Sequence, residues 1–189
     1  MTHAPTIALA YDFDGTLSPG SMQEHSFIPE IGEEIGAFWG RVNGEAARLG
    51  ADNILIYMHE MVKAAQREDV RFRREDIERH GQSVSFFPGV AEGWFQRLRE
   101  YGEARGVRVQ HYIISSGLKE MIAASAVGKE FDAIFASEFK YNADDVPVWA
   151  ASAVNYTNKT QFLFRINKGA LDLSDHAEVN AYVPEDDRP

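Results

Sequence analysis

An apolar run near the N-terminus ends in two aspartates, and this stretch limits the possible folds more than any other. Residues 7–11 read Ile-Ala-Leu-Ala-Tyr, and residues 12–17 continue as Asp-Phe-Asp-Gly-Thr-Leu. A short run this apolar predicts a strand buried on both faces, as in parallel sheets covered by helices. Side chains alternate along a strand, so Asp12 and Asp14 point to the same side. The sequence therefore predicts an α/β fold with two carboxylates where open sheets bind ligands.

Two carboxylates at this spacing suit phosphoryl transfer. One can attack phosphorus as a nucleophile and form an aspartyl-phosphate, which water then hydrolyses. The second can protonate the leaving oxygen and later deprotonate the water. The pair also offers hard oxygen ligands for Mg²⁺, which neutralises charge on the transferred group. A solvated turn after a strand is the alternative, and the flanking strand and Thr-Leu favour the site.

Residues 12–17 resemble the first motif of the haloacid dehalogenase-like (HAD) superfamily, in the DxDxT form of its phosphatases. The resemblance implies a Rossmann-like parallel-sheet core in which Asp12 is the nucleophile and Asp14 the general acid and base, with Mg²⁺ held by both. True dehalogenases of the superfamily lack the second aspartate, so Asp14 favours phosphoryl transfer over cleavage of a carbon–halogen bond. We expect Thr16, in the same turn, to help bind the phosphate.

The composition limits the partners. The chain of 189 residues has 19 Lys and Arg against 29 Asp and Glu, a formal net charge of −10. This charge argues against non-specific binding to nucleic acid or an anionic membrane, so we expect a small phosphorylated substrate drawn in by local donors and a metal. With 44% hydrophobic residues the chain can bury a sizeable core, and it has no cysteine for disulfides or thiolate zinc.

The predicted location is the cytoplasm. The first residues carry no basic segment followed by an apolar one, as a signal peptide would. No stretch approaches the roughly 20 apolar residues of a membrane helix. The oligomeric state cannot be read from the sequence.

Residues 18–86 have the apolar spacing of helices instead of strands, which predicts an inserted helical cap. Three segments have helical spacing: 33–49, 52–66 and 74–80. Asp52 is a candidate N-cap, and nothing in this region indicates a strand. An all-helical insertion after the first motif resembles the C1 cap of the superfamily, which closes over the site and selects the substrate. We therefore expect residues 1–17 and 87–189 to form the core domain and residues 18–86 the cap.

The C1 cap resembles that of the phosphoserine-phosphatase-like subgroup, but no cap residue identifies the substrate. Phosphoserine phosphatases typically carry a glutamate nine residues after the nucleophile that reads the substrate amine, and here that position is Ser21. Glu24 and His25 lie early in the cap and could touch substrate, although a surface role is favoured for both.

A second apolar strand, 107–114, ends in Ser115-Ser116-Gly117 before a helix predicted at 118–127. Ser115 can donate its hydroxyl to a phosphate, and the amides of Ser116 and Gly117 can point at the same anion. An ordinary helix cap is the alternative. The position resembles the second motif of the superfamily, with Ser115 preferred and Ser116 the alternate.

The third candidate group is Lys159, which follows a strand at 133–136 and a hairpin at 139–149. It opens a helix predicted at 160–167, and a lysine there can steady the extra charge of a phosphoryl-transfer transition state. Its position resembles that of the third-motif lysine of the superfamily. Lys168 fits ordinary capping of the helix C-terminus instead.

The fourth motif of the superfamily, an apolar strand closing in Gly-Asp and a further acid, has no counterpart after Lys168. The acids in this region lack an apolar strand before them: Asp172, Asp175, Glu178, Glu185, Asp186 and Asp187. A strand missing beside the first would leave unpaired backbone groups. We therefore expect the chain to be the N-terminal part of a longer phosphatase, metal-poor and weakly active or inactive by itself.

Three functions remain open. The residues favour a Mg²⁺-dependent phosphomonoester hydrolase, because Asp12, Asp14 and Lys159 are all present. A catalytically silent HAD-like fold that serves as a binding or regulatory module is the alternative from another class. Phosphotransfer to a second substrate instead of water is the alternative within the enzymes.

Overall fold

Four strands form one sheet in the computed structural model, which describes residues 4–185 and 188–189, in the order β1-β2-β3-β4. The strands are β1 (Thr6–Tyr11), β2 (Arg108–Leu118), β3 (Ala133–Tyr141) and β4 (Pro147–Ser152). The first three are parallel, and β4 pairs antiparallel with β3 as the predicted hairpin. The predicted α/β fold with a Rossmann-like parallel sheet is confirmed.

Eight α-helices surround the sheet in the described part of the chain. They are α1 (Phe27–Glu30), α2 (Ile35–Leu49), α3 (Asn53–Arg67), α4 (Arg74–Gln82), α5 (Trp94–Glu103), α6 (Lys119–Ala124), α7 (Lys159–Lys168) and α8 (His176–Asn180). Asp52 caps α3 as expected, because its Oδ1 accepts a hydrogen bond of 2.8 Å from the Ile54 amide. The four helices α1–α4 follow one another between β1 and β2, and residues 19–86 contain no strand.

The strand register brings the motifs to one edge of the sheet. Tyr11, the last residue of β1, pairs with Ile113 of β2. Asp12 comes next along the chain, and Ser115 lies two residues beyond Ile113. The carboxyl ends of both strands therefore open on the same side, under the helices inserted between them.

One hydrophobic cluster joins the inserted helices to the sheet. It includes fully buried residues of the first motif, the helices and β2: Phe13, Met22, Phe27, Phe38, Met61 and Ile113. Gly81 in α4 lies so close to α6 that a Cβ there would overlap the carbonyl oxygen of Met121. On the opposite face, α7 packs Phe162 against Phe135 of β3. The shared core fixes the inserted helices over the strand ends.

Two details of the predicted elements are wrong. Ile7 is 50% exposed, so β1 is not buried on both faces, because it is an edge strand that pairs only with β2 in the described sheet. Proline is favoured in the first turn of a helix, so Pro88 predicts a helix that continues to about Tyr101, but the helix begins instead at Trp94. Gly89 and Gly93 have φ of 90° and 87°, and left-handed residues at this spacing form turns instead of helix.

Within the described residues, no helix is both long enough and apolar enough to span a membrane.

Candidate active site

Asp12 and Lys159 form an ion pair at the carboxyl end of β1. The Lys159 Nζ lies 2.5 Å from the Asp12 Oδ2. The other carboxylate oxygen, Oδ1, accepts a hydrogen bond of 2.8 Å from the amide of Phe13. Lys159 is the first residue of α7, which packs across β1 and β2. The structure thus brings the first and third candidate motifs into direct contact.

Asp14 lies on the cap side of the same turn and is partly buried. Its Oδ1 accepts a hydrogen bond of 2.9 Å from the amide of Met22. Burial raises the pKa of Asp14 to about 7; the Met22 amide opposes that shift, and the nearby charges of Asp12 and Glu24 add to it. A carboxyl with this pKa is partly protonated near neutral pH, which is the range useful to a general acid.

A tight turn holds the two aspartates in place. The amide of Leu17 donates to the Phe13 carbonyl at 2.9 Å, and the amide of Gly15 donates to the Ser18 carbonyl at 2.7 Å. Gly15 has φ of 73°, which an L-residue with a side chain adopts only with strain. Thr16 is exposed in this turn, and its part in phosphate binding stays a prediction.

The residues of the second motif, 115–117, lie within β2 and not in a loop after it. Ser115 is fully buried, and its Oγ accepts a hydrogen bond of 3.0 Å from the Gly117 amide. The register with β3 shifts between Ser115 and Leu118, which marks a bulge. A Cβ at Gly117 would overlap the Met22 side chain and lie 3.2 Å from Asp14 Oδ2. Gly117 therefore lets the second motif lie directly against the first.

A cavity of about 210 Å³ lies between the inserted helices and these two motifs. Asp14, Ser116 and Gly117 form its floor. Its remaining wall comes from the inserted segment: Ser21, Gln23, Trp39, Val42, Asn43, Asn53, Ile54 and Tyr57. A ligand in this cavity would touch both the candidate catalytic acid and the helices.

Three polar contacts hold the helices around the cavity. The Tyr57 hydroxyl donates to the Ser116 carbonyl at 2.7 Å. The Asp52 Oδ2 accepts a hydrogen bond of 2.5 Å from the Asn155 side chain, in the loop before α7. The Trp39 Nε1 donates to Glu24 Oε1 at 2.7 Å. The inserted helices are thus tied to both the second and the third motif.

The sequence did not single out Trp39, Asn43 or Gln23 as parts of a site. Trp39 and Asn43 lie four residues apart on one face of α2, and that helical spacing could have indicated a shared surface. Gln23 gave no such signal, because its burial depends on contacts between distant segments. In the segment 52–66, the helical spacing of Tyr57 with apolar residues predicts only a buried face for it.

The acids after Lys168 make local contacts. Asp172 Oδ1 accepts from the amide and hydroxyl of Ser174 at 2.8 and 2.7 Å. Asp175 caps α8 by accepting from the Ala177 amide at 2.8 Å. Asp186 and Asp187 lie outside the described residues. In the described part of the chain, no group of three or more His, Asp or Glu side chains is arranged to hold a metal.

The sequence profile of haloacid dehalogenase-like hydrolases matches residues 9–181, and the chain belongs to this family. The predicted membership of the superfamily, and with it the class of HAD-type hydrolases, is confirmed. An uncharacterized protein from Borreliella burgdorferi is 28% identical over an alignment of 208 positions, which covers 96% of this chain and 70% of that protein.

Two solved structures illustrate the shared fold. An aspartyl-phosphate-intermediate analogue of phosphoserine phosphatase has a TM-score of 0.58 and 17% identity, over 89% of this chain and 75% of that one. A HAD family hydrolase from Salmonella enterica has a TM-score of 0.55 and 17% identity over 85% of this chain. This chain spans 50% of the Salmonella hydrolase. At these identities the likeness concerns the fold.

Proposed function

We propose that the protein hydrolyses a phosphomonoester through an aspartyl-phosphate formed on Asp12. The observation that carries the proposal is the pairing of Asp12 with Lys159 at 2.5 Å, with Asp14 two residues away beside a cavity. A nucleophilic carboxylate, a proton donor and a cation are the groups that phosphoryl transfer to a protein requires.

The reaction proceeds in two steps. A carboxylate oxygen of Asp12 attacks phosphorus, the bond from phosphorus to the leaving oxygen breaks, and Asp14 gives that oxygen its proton. A water molecule then attacks the same phosphorus, and Asp14 takes a proton from that water. The bond between phosphorus and the Asp12 oxygen breaks, which releases inorganic phosphate. The Lys159 ammonium stabilises the negative charge that gathers on the phosphoryl oxygens in both steps.

The phosphate-binding groups are proposals of the same kind. Ser115, Ser116 and Gly117 lie at the end of β2, with Gly117 against Asp14. Thr16 is exposed at the turn that follows Asp14. We assign these four residues to the phosphoryl oxygens because strand ends and tight turns present hydroxyl and amide donors. The Ser115 hydroxyl keeps its own proton to donate, whereas the Gly117 amide would have to leave the Ser115 Oγ to reach the phosphate.

The Asp12 carboxylate and the Asp14 backbone carbonyl would hold the Mg²⁺ ion. The donor set fits this metal, because Mg²⁺ prefers oxygen ligands and is often bound by one or two carboxylates together with water and substrate phosphate. The Asp12 side chain is 42% exposed, so an ion can reach its oxygens. When bound, Mg²⁺ neutralises charge on the transferred group.

The test is hydrolysis of p-nitrophenyl phosphate by the purified protein with and without Mg²⁺. We expect weak turnover that requires Mg²⁺, in line with the missing fourth motif, and a further fall of roughly 10³-fold or more in Asp12→Asn, because the nucleophile is lost. Asp144→Asn is the matched control, since Asp144 is exposed in the hairpin turn and its loss should leave the rate unchanged. Turnover that survives Asp12→Asn, or its absence from the wild type, would refute the proposal.

The same assay separates the alternatives. A protein that binds phosphate esters tightly but releases no phosphate would be a binding module. If an added alcohol lowers the release of inorganic phosphate and a new phosphate ester of that alcohol forms, the protein is a phosphotransferase.

A further inference from the structure

Gln23, a residue of the cavity wall, has a buried side-chain oxygen without a hydrogen-bond partner among the described residues. The residue is 1% exposed, and the unpaired oxygen is its Oε1. Buried polar oxygens in folded proteins are almost always paired, because leaving one unpaired destabilises the fold. An unpaired acceptor at the wall of a candidate active site therefore points to a ligand that supplies the donor.

Four neighbouring polar side chains of the wall have hydrogen-bond partners. The Tyr57 hydroxyl donates to the Ser116 carbonyl at 2.7 Å, and the Trp39 Nε1 donates to Glu24 at 2.7 Å. The side chains of Asn53 and Asn43 bond to each other at 2.8 Å. These contacts shape the cavity, and among the described lining residues the Gln23 Oε1 is the buried side-chain oxygen that lacks a donor.

The charge of the wall limits what that donor can belong to. Among the described residues that line the cavity, Asp14 is the one with a charged side chain. A carboxylate on the ligand would find no cation here and would face Asp14. An ammonium group would pair with Asp14, which the mechanism needs as a proton donor. A neutral group avoids both conflicts, and a hydroxyl is the simplest neutral donor.

The size of the cavity limits the ligand further. Its volume of about 210 Å³ lies below the roughly 300–1,000 Å³ of pockets that hold drug-sized ligands. The leaving group that fits is therefore small.

From these observations we infer that Gln23 Oε1 accepts a hydrogen bond from a hydroxyl of the leaving group. The substrates are then phosphate monoesters of small, neutral, polyhydroxylated compounds such as short polyols or sugars. This inference rests on the proposed phosphatase activity and names its substrate class.

The test compares two esters of the same length, glycerol 3-phosphate and propyl phosphate, which differ only in hydroxyl groups. We expect the wild type to have at least tenfold higher kcat/KM for glycerol 3-phosphate, mostly through KM. Phosphoserine, which brings both an ammonium and a carboxylate, should be at least tenfold poorer than glycerol 3-phosphate. Equal rates on the two matched esters, or a preference for phosphoserine, would overturn the inference.

The matched variants are Gln23→Met and Gln82→Met. Gln23→Met keeps the side-chain length and removes the acceptor, so the preference for glycerol 3-phosphate over propyl phosphate should shrink toward one. Gln82 is exposed at the end of α4, and its variant should keep the wild-type preference. An unchanged preference in Gln23→Met would refute the assignment.

Thermal unfolding separates recognition from a structural role. Removing an unpaired buried oxygen should leave the melting temperature of Gln23→Met equal to or above that of the wild type. A lower melting temperature together with an equal loss of activity on all esters would make Gln23 structural and contradict the inference.

The two proposals fail in different ways. If the wild type hydrolyses no ester, including p-nitrophenyl phosphate, the proposed phosphatase activity is refuted, and the proposed substrate class is refuted with it. If it hydrolyses propyl and p-nitrophenyl phosphate but shows no preference for hydroxyl groups, only the role of Gln23 is wrong.

Discussion

The ion pair of Lys159 with Asp12 contributes little to the stability of the fold. The two side chains are 26% and 42% exposed, and exposed pairs are typically worth about 0–1 kcal/mol. In the proposed reaction the same pair would matter much more, because the ammonium lies beside the charge that develops when a phosphoryl group is transferred to Asp12.

Replacing Lys159 with methionine should therefore separate activity from stability. We expect kcat/KM for phosphate esters to fall roughly 10²–10³-fold, as when one preorganised donor to a transition state is removed. The melting temperature should change little. The measurement is steady-state kinetics together with a thermal melt.

Lys168→Met is the control on the same helix. Lys168 lies in the last turn of α7, and its Nζ donates to the carbonyl of Val179 at 2.9 Å. Its loss should affect stability slightly and leave kcat/KM close to that of the wild type. Equal losses of activity in the two variants would argue that Lys159 acts only through the fold.

At the residue scale, the sequence indicated those candidate groups that can be recognised from residue type and spacing alone. Asp12 and Asp14 follow an apolar strand, and the structure places them where that strand ends. Gln23 could not be found this way, because burial of a glutamine arises from contacts with helices far along the chain. The role of the Tyr57 hydroxyl could not be found from the sequence either, because it donates to the carbonyl of Ser116, which lies far along the chain in another motif.

At the scale of elements, the inserted helix α4 packs directly against α6 of the core. Gly81 makes this approach possible, because a Cβ there would overlap the Met121 backbone. Backbone atoms cannot move aside as a flexible side chain can, so the packing tolerates no larger residue.

Gly81→Ala should destabilise the protein by about 1–3 kcal/mol through overpacking, even though alanine favours helices. Gly44→Ala in the interior of α2 is the matched control, since no atom lies within 4 Å of the added Cβ. That variant should be neutral or more stable by up to about 1 kcal/mol. Urea unfolding measures both, and equal stabilities would contradict the packing described here.

Element boundaries were predicted less well than element types. The helix expected from Pro88 starts at Trp94, because Gly89 and Gly93 adopt left-handed conformations that a proline signal does not reveal. β2 extends through Ser115 to Leu118, because pairing with β3 resumes after a bulge. Tertiary pairing of this kind leaves no mark in the local sequence.

At the scale of the whole molecule, a buried histidine couples stability to pH. His80 is 2% exposed, and its Nδ1 lies 2.8 Å from the Ser26 hydroxyl. Burial lowers the pKa of His80; Glu30 and Asp76 oppose the shift, and Arg79 adds to it. Below the ordinary pKa of 6.5, the unfolded chain therefore binds a proton at this position that the folded chain does not.

This difference in proton binding determines how the stability of the folded protein changes with pH. The stabilisation by neutral His80 is present in full above pH 6.5 and is lost as the pH falls toward the folded pKa. His80→Asn should weaken the dependence of unfolding free energy on pH by up to about 1.4 kcal/mol per pH unit in that range. Urea unfolding between about pH 7 and pH 5 measures it.

His176→Asn provides the control for that series. His176 is exposed at the start of α8, so its variant should keep the slope of the wild type. A slope that His80→Asn leaves unchanged would show that other groups, such as the buried His111, control the acid response.

The arrangement of the molecule as a whole places one cavity between the strand ends and the inserted helices. The strand ends supply Asp14 and the second motif, and the inserted helices supply the polar wall that contains Gln23. The sequence predicted this division into sheet and inserted helices. It did not predict that β1 is the edge of the described sheet with Ile7 exposed, because an apolar run has the same composition in either place.

The measurement that tests the central claim most directly is the location of the phosphoryl group during turnover. A reaction quenched in acid and mapped by peptide mass spectrometry should show one phosphoryl group on Asp12. The phosphorylated form should accumulate in Asp14→Asn, which lacks the base that activates water. A phosphoryl group on another residue, or none at any time during active turnover, would contradict the account.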